Sequence, residues 1–165
     1  MKKIFPTFWQ WYEKNIVLTT SIAAGLFVLQ LIHLYWLFTD VVLLRLVGAS
    51  FFNFSGVWEY VIIFVDYTEI PALLSVSLIY INELRKGFHW KPIWFLIFLN
   101  SQWLHILWIT DEFVIGQLIE PQRTLLFPIW LAWIAIGVDY LELPVIYDTS
   151  KKAIIGIKEK FFKKI

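Results

Sequence analysis

Four long apolar runs limit what this chain can fold into. They lie near residues 16–39, 57–81, 92–111 and 125–147. A bilayer's hydrocarbon core is about 30 Å thick, so a helix needs roughly 20 apolar residues to cross it. Only 16% of the residues are charged and the mean hydropathy is +0.69, far from the values of soluble domains. The sequence therefore predicts an all-α integral membrane protein, a bundle of four transmembrane helices that forms one domain over residues 1–165.

The cationic residues predict how this bundle is oriented. Twelve of the fourteen lysines and arginines precede the first run, separate the second from the third, or follow the fourth. Arg45 and Arg123 lie in the two other connections. Positive residues accumulate on the cytoplasmic side of membrane proteins. We therefore expect both termini in the cytoplasm, and we expect a bacterial-type inner membrane or a plasma membrane.

The segment 151–165 is expected to form a C-terminal amphipathic interfacial helix. Its apolar residues recur at helical spacing among six lysines: Ile154, Ile157, Phe161 and Ile165. This pattern is typical of a helix that lies in the headgroup region of a membrane. The alternative is a solvated and frayed tail.

The chain repeats itself at an offset of 72 or 73 residues. The aligned segments are QLIHLYWLFTD (30–40) with QWLHILWITDE (102–112), and VDYTEIP (65–71) with VDYLELP (138–144). We interpret the chain as two parallel two-helix repeats, about 16–86 and 92–150. A pseudo-two-fold axis along the membrane normal would relate them.

The repeats place ionisable residues inside the apolar runs. Six of them are predicted metal ligands: His33, Asp66, Glu69, His105, Asp139 and Glu142. Residues three apart share a helix face, so each Asp and Glu pair should point the same way. Six further repeated residues are interpreted as partners that orient the ligands or as residues at the rim: Gln30, Asp40, Tyr67, Gln102, Glu112 and Tyr140.

The four intramembrane carboxylates of these pairs lack basic neighbours in the sequence. Within 15–84 and 92–150, the lysines and arginines are Arg45 and Arg123 alone. Four buried charges at about 2.5 to 3.5 kcal/mol each would cost on the order of 10 kcal/mol. Bound cations, protonation or a water-filled cavity could each remove this cost. The alternative to a functional site is a purely structural one. The histidines would then be packing residues, and the carboxyls would be protonated and hydrogen-bonded between helices.

Two divalent ions would balance four carboxylates, and two neutral imidazoles would complete the ligand set. This inventory resembles that of the soluble di-iron and di-manganese carboxylate proteins. Those proteins carry Glu-x-x-His on one helix, whereas here the histidines and the acid pairs lie on different helices. The resemblance is therefore one of ligand chemistry and not of family. Since the chain has no cysteine, its oxygen and imidazole donors favour iron, manganese or zinc.

These features predict a membrane metalloprotein with a dinuclear metal site in the bundle core. Iron would suit oxidation of a membrane-soluble substrate and zinc would activate water for hydrolysis, so whether the chain is an enzyme stays open. The alternative is a small transporter or channel for protons or divalent cations. A structural membrane subunit is the third class.

The expected partners follow from the same features. They are the lipid bilayer and a lipid-soluble substrate, and the sequence leaves a homo-oligomer open. Nucleic acid is excluded as a partner because the extended basic segment is confined to the C-terminal tail.

Two smaller predictions concern helix geometry and isolated acids. Pro71 and Pro144 should each bend their helix, since proline removes a backbone donor. Asp111, Glu120 and Asp148 are expected to be solvated at helix ends.

Overall fold

A computed structural model describes residues 4–51, 56–119, 124, 126 and 128–162 of the chain. It contains four helices long and apolar enough to cross a membrane: Ile16–Val47, Tyr60–Lys86, Trp90–Gly116 and Trp130–Phe162. The four predicted spans are therefore confirmed. Each helix extends past its predicted run at one end or both.

The described residues form eight α-helices. They are α1 (Ile4–Lys14), α2 (Ile16–Trp36), α3 (Leu43–Val47), α4 (Val57–Tyr67), α5 (Glu69–Lys86), α6 (Trp90–Ile109), α7 (Ile129–Asp139) and α8 (Leu143–Phe162). A first π-helical segment, Leu37–Val42, joins α2 to α3, and a second, Thr110–Ile119, continues α6. The two π segments thus occur at matching places in spans one and three.

The spans pack as a ring in which each contacts the next. α2 packs against α5 and α8, and α6 packs against α5 and α7. Spans one and two, and spans three and four, are connected at one end of the bundle, called here the distal end. The other end carries both chain termini and the connection between α5 and α6, and is called the terminal end.

The bundle is apolar outside as well as inside. Alanines are buried where helices approach each other, as a membrane bundle requires: Ala23, Ala72, Ala132 and Ala135. Large apolar side chains are exposed on the outer surface, among them Leu18, Ile22, Ile32, Phe64 and Leu74. In water such a surface would be unfavourable, so its natural surroundings are lipid.

Pro71 and Pro144, which were predicted to bend their helices, each follow an interruption of the helix. Proline has no N–H to donate to the carbonyl four residues earlier. In the first half, α4 ends at Tyr67 and α5 begins at Glu69. In the second half, the interruption is a 3₁₀ turn, Tyr140–Glu142, between α7 and α8. The structure therefore breaks both helices one turn before Pro71 and Pro144.

The first and fourth spans are longer than a bilayer requires. They contain 32 and 33 residues, which corresponds to about 48 Å at 1.5 Å per residue. α8 runs without a break to Phe162, so residues 151–162 end the fourth span and do not form a separate helix. The interfacial position of this tail stays a prediction, and residues 163–165 lie outside the described part.

The predicted orientation also stays a prediction. Lys2, Lys3 and Arg123, which contribute to it, lie outside the described residues. Among the described cations, Lys14, Arg85 and the lysines of α8 lie toward the terminal end.

Two acids predicted to be solvated are buried, so that prediction was wrong for them. Asp148 is 7% exposed; it accepts hydrogen bonds from Lys91 and, at 3.0 Å, from the Tyr80 hydroxyl. Asp111 is 4% exposed and accepts a bond from the backbone N–H of Leu126. Partners on other segments make burial possible in both cases. Glu120 lies outside the described residues.

Candidate metal centre

The two helix interruptions position four carboxylates. Asp66 lies in the last turn of α4 and Glu69 begins α5, while Asp139 ends α7 and Glu142 closes the 3₁₀ turn. Each of the four residues is 1% exposed. Because an Asp and a Glu three residues apart share a helix face, each interrupted turn directs both carboxylates of its pair into the bundle.

Gln30 and Gln102 stabilise these interrupted turns from the neighbouring helix. Nε2 of Gln30 donates to the carbonyl of Val65 at 3.2 Å and to the Thr68 hydroxyl at 2.9 Å. Nε2 of Gln102 donates to the carbonyl of Val138 at 2.9 Å. Two glutamines that align at the offset of 72 thus bind the carbonyls of two valines that align at the offset of 73. Both amide oxygens are buried without a hydrogen-bond partner among the described residues.

The two histidines lie between the aspartates of both halves. For His33, Nδ1 is 3.2 Å from Oδ1 of Asp66, and Nε2 is 3.5 Å from Oδ2 of Asp139. For His105, Nε2 is 3.3 Å from the same Asp66 oxygen and 3.9 Å from Oδ1 of Asp139. The two imidazole centroids are 5.1 Å apart. His33, Asp66, Glu69, His105, Asp139 and Glu142 therefore form one buried group across four spans, called the six-residue cluster.

Most ligating atoms of this cluster make no hydrogen bond to the rest of the described chain. Both carboxylate oxygens of Glu69 and of Glu142 are buried without such a bond, as are both ring nitrogens of His33 and one of His105. A buried polar group without a hydrogen bond costs about 1 to 3 kcal/mol, and more when charged. So many buried polar atoms without hydrogen bonds in one place would be unfavourable unless a ligand binds them.

Three overlapping sets in the cluster are arranged to hold a metal ion. They are His33, His105 and Asp139; Asp66, Glu69 and His105; and Glu69, Asp139 and Glu142. In each set the ligand atoms lie within 4.8 Å of one another, the separation expected when each is about 2 to 2.5 Å from a shared ion. The cluster could therefore hold a metal ion.

The other predicted residues occupy several positions around the cluster. The hydroxyl of Tyr67 is hydrogen-bonded to that of Thr110 at 2.7 Å, and the Tyr140 hydroxyl is buried without a partner among the described residues. At the distal end, Asp40 accepts bonds from Thr39 and Ser50, and Glu112 accepts bonds from Arg45 and Trp108. The partners named here for Asp40 and Glu112 lie outside the six-residue cluster, and the rim position of the two acids stays a prediction.

Sequence reasoning missed an aromatic layer directly distal to the histidines. Trp36 lies against the ring of His33 and Trp108 against the ring of His105, each at 5.5 Å between centroids. Phe113 contacts both tryptophans edge to face, at 5.4 and 5.6 Å. Trp36, Trp108 and Phe113 are called the aromatic layer. Its sequence signal was a tryptophan three residues after His33 and three residues after His105.

An apolar layer covers the cluster on its terminal side. Several buried apolar residues precede or follow the cluster residues by one to two helical turns in the direction of that end: Phe27, Ala72, Leu73, Val76 and Val145. Farther on lies a separate polar group around Tyr80 and Asp148. Among the described residues, the cluster is therefore enclosed by aromatic rings on one side and by aliphatic side chains on the other.

Comparison of the chain with known protein families, curated proteins and solved structures gives no match. The function therefore has to be inferred from the cluster itself.

Proposed function

We propose that this protein binds two divalent transition-metal ions in the core of its membrane bundle. One observation carries the proposal: Glu69 and Glu142 bury four carboxylate oxygens that have no hydrogen-bond partner among the described residues, beside histidines and aspartates at metal-binding separations. A carboxylate removed from water requires a compensating charge or hydrogen bond. Bound metal ions would provide that charge.

Each ion would take its acids from one half of the chain and its imidazole from the other. Asp66, Glu69 and His105 already form one potential ligand set. Their equivalents in the repeat are Asp139, Glu142 and His33, and Nε2 of His33 is 3.5 Å from Asp139. Three protein ligands for each ion would leave coordination positions for water or a substrate.

The charge of the cluster favours two ions over one. Four carboxylates and two neutral imidazoles carry a charge of −4, which two divalent ions would cancel. One ion would leave two uncompensated charges, at about 2.5 to 3.5 kcal/mol each. Within the described part of the chain, the residues at ion-pair distance from these aspartates are histidines, so lysine and arginine do not substitute for the second ion.

The donors restrict the metal and the chemistry. Carboxylate and imidazole ligands suit iron, manganese and zinc. With iron or manganese, the site would suit oxidation of a membrane-soluble substrate; with zinc, it would activate water for hydrolysis. In either case the residues of the chain would fix the ions, exclude bulk water and leave coordination positions open for a substrate.

A proton or divalent-cation transporter is the other function that the sequence suggests. Such a protein needs a polar route from the cluster to both ends of the bundle. On the terminal side the apolar layer separates the cluster from the polar group around Asp148. The described geometry therefore favours an enclosed metal site over a transport path.

Metal content tests the proposal directly. Protein purified in detergent without added metal should contain about two transition-metal ions per chain by elemental analysis. His33→Ala and His105→Ala should each lower that content, because each removes an imidazole ligand. His89→Ala is the matched control, since His89 is an exposed histidine at the start of α6, and it should leave the content unchanged.

Two results would count against this function. Folded protein that contains no metal and binds none on addition would contradict it. A proton leak in liposomes that is independent of metal and abolished by Asp66→Asn would support transport instead.

A further inference from the structure

We propose that metal ions reach the six-residue cluster from the distal end, through a gate that the Arg45–Glu112 ion pair holds closed. The inference rests on the proposed metal site and adds the route by which that site is loaded. The gate consists of the aromatic layer, Trp36, Trp108 and Phe113, together with Arg45 and Glu112.

The aromatic layer is the barrier. Trp36 and Trp108 are 8% and 1% exposed and each contacts one cluster histidine, while Phe113 packs edge to face against both. The three rings join spans one and three directly above the two imidazoles. An ion that approaches along the bundle axis from the distal end must displace at least one of these rings.

The ion pair locks this barrier. Arg45 donates to Glu112, whose second oxygen accepts a 2.5 Å bond from Nε1 of Trp108. The Arg45 guanidinium also lies over the Trp108 ring at 5.5 Å and the Trp133 ring at 6.0 Å from their centroids. Trp108 is thus bound to the ion pair on one side and packed on His105 on the other. Rotation of Trp108 requires the release of Glu112.

The secondary structure around the lock permits movement. Glu112 and Phe113 belong to the second π segment, and Arg45 follows the first. π-Helical turns are rare and occur frequently at functional sites. A return to α-helical hydrogen bonding in either segment would turn Glu112 or Arg45 around its helix and separate the pair.

Charge favours the distal route over the terminal one. Among the described residues of the two π segments and α3, three acids outnumber one arginine: Asp40, Asp111 and Glu112 against Arg45. An excess of acidic groups raises the local concentration of cations. The terminal side instead presents the apolar layer, beyond which Lys91 and Lys152 surround Asp148. A divalent ion would meet attraction at one end and repulsion at the other.

Zinc exchange in detergent solution tests the gate, since both ends are then accessible. Arg45→Gln and Glu112→Gln should each accelerate Zn²⁺ uptake by metal-free protein and Zn²⁺ release to excess chelator by roughly ten-fold. The dissociation constant should stay the same, because a gate changes both rates equally. A ten-fold change corresponds to about 1.4 kcal/mol at the barrier. Glu112→Gln keeps an acceptor for Trp108 and changes the fold least.

Glu83→Gln provides the matched control. Glu83 forms an ion pair with Lys152 at the terminal end, so its replacement should leave both rates unchanged. The gate is refuted if both gate variants exchange zinc at the rate of the unmodified protein. It is also refuted if release accelerates while uptake does not, since Glu112 would then act on the ligands. If the unmodified protein binds none of Zn²⁺, Fe²⁺ and Mn²⁺, the metal site and the gate are refuted together.

Discussion

Replacement of Glu69 by glutamine should have opposite effects on the metal-free and the metal-bound protein. Glu69 is 1% exposed, and neither of its carboxylate oxygens has a hydrogen-bond partner among the described residues. Without metal, a charge on Glu69 would lie beside those of Asp66, Asp139 and Glu142. Glutamine keeps the shape and removes the charge, so the metal-free protein should become more stable. With metal, the same change removes a ligand.

Glu69→Gln changes the free energy of unfolding by one amount without metal and by another with metal bound. An ionised carboxylate in the membrane interior costs about 2.5 to 3.5 kcal/mol. The unmet hydrogen bonds of the new amide offset part of the benefit of removing the charge. We therefore expect Glu69→Gln to raise the free energy of unfolding of the metal-free protein by about 1 to 3 kcal/mol. A metal ion whose free concentration is one hundred times its dissociation constant stabilises the fold by about 2.7 kcal/mol. The stabilisation that metal confers should fall by about that amount when Glu69→Gln abolishes one site.

Thermal unfolding in detergent, with chelator or with added zinc, measures both quantities. The chain has ten tryptophans, so intrinsic fluorescence can follow the transition. Glu83→Gln serves again as control, because a partly exposed ion pair contributes only about 0.2 to 1 kcal/mol and has no connection to metal. The reasoning fails if Glu69→Gln destabilises the metal-free protein and leaves the metal-dependent stabilisation unchanged, as a protonated, hydrogen-bonded carboxyl would require.

Two further predictions concern the scaffold. Pro71→Ala restores a backbone donor for the carbonyl of Tyr67, so it should join α4 to α5, reorient the acid pair and lower the metal content. Pro92→Ala, in the first turn of α6, is the control and should leave the metal content unchanged. Elemental analysis of both variants measures this difference. Asp148→Asn should destabilise the protein by about 1 to 3 kcal/mol, because it removes the charged acceptor of Lys91, Lys152 and Tyr80. The loss in thermal unfolding should be equal with chelator and with zinc, and a difference between them would contradict the separation of the two polar groups.

The spans and the cluster could be predicted because their signals are local. Apolar length alone identifies a transmembrane helix, and the repeated Asp and Glu pairs stand out against the apolar residues around them. Proline chemistry predicted a bend in each of these helices, and the structure has an interruption before each proline. Helix spacing predicted that Asp66 and Glu69 share one direction. These inferences required no knowledge of which helix lies beside which.

The gate and the buried Asp148 could not be predicted because their partners come from distant segments. Arg45 aligns with Gln117 at the offset of 72, so the repeat gave no indication of a role for it. Its partner Glu112 is 67 residues away. Asp148 has Lys152 one turn along its own helix, but Lys91 and Tyr80 reach it from other helices. Trp36 and Trp108 carried little weight because aromatic residues make up 19% of the chain.

The length of the first and fourth spans makes bilayer thickness relevant to the metal centre. Helices of about 48 Å exceed a hydrocarbon core of about 30 Å, so they must tilt or protrude. The cluster is fixed within these helices: His33 lies 17 residues from Ile16, or about 25 Å along the axis. A thicker or thinner membrane would therefore change how deep the cluster lies below the headgroups and which part of a lipid's acyl chain passes beside it.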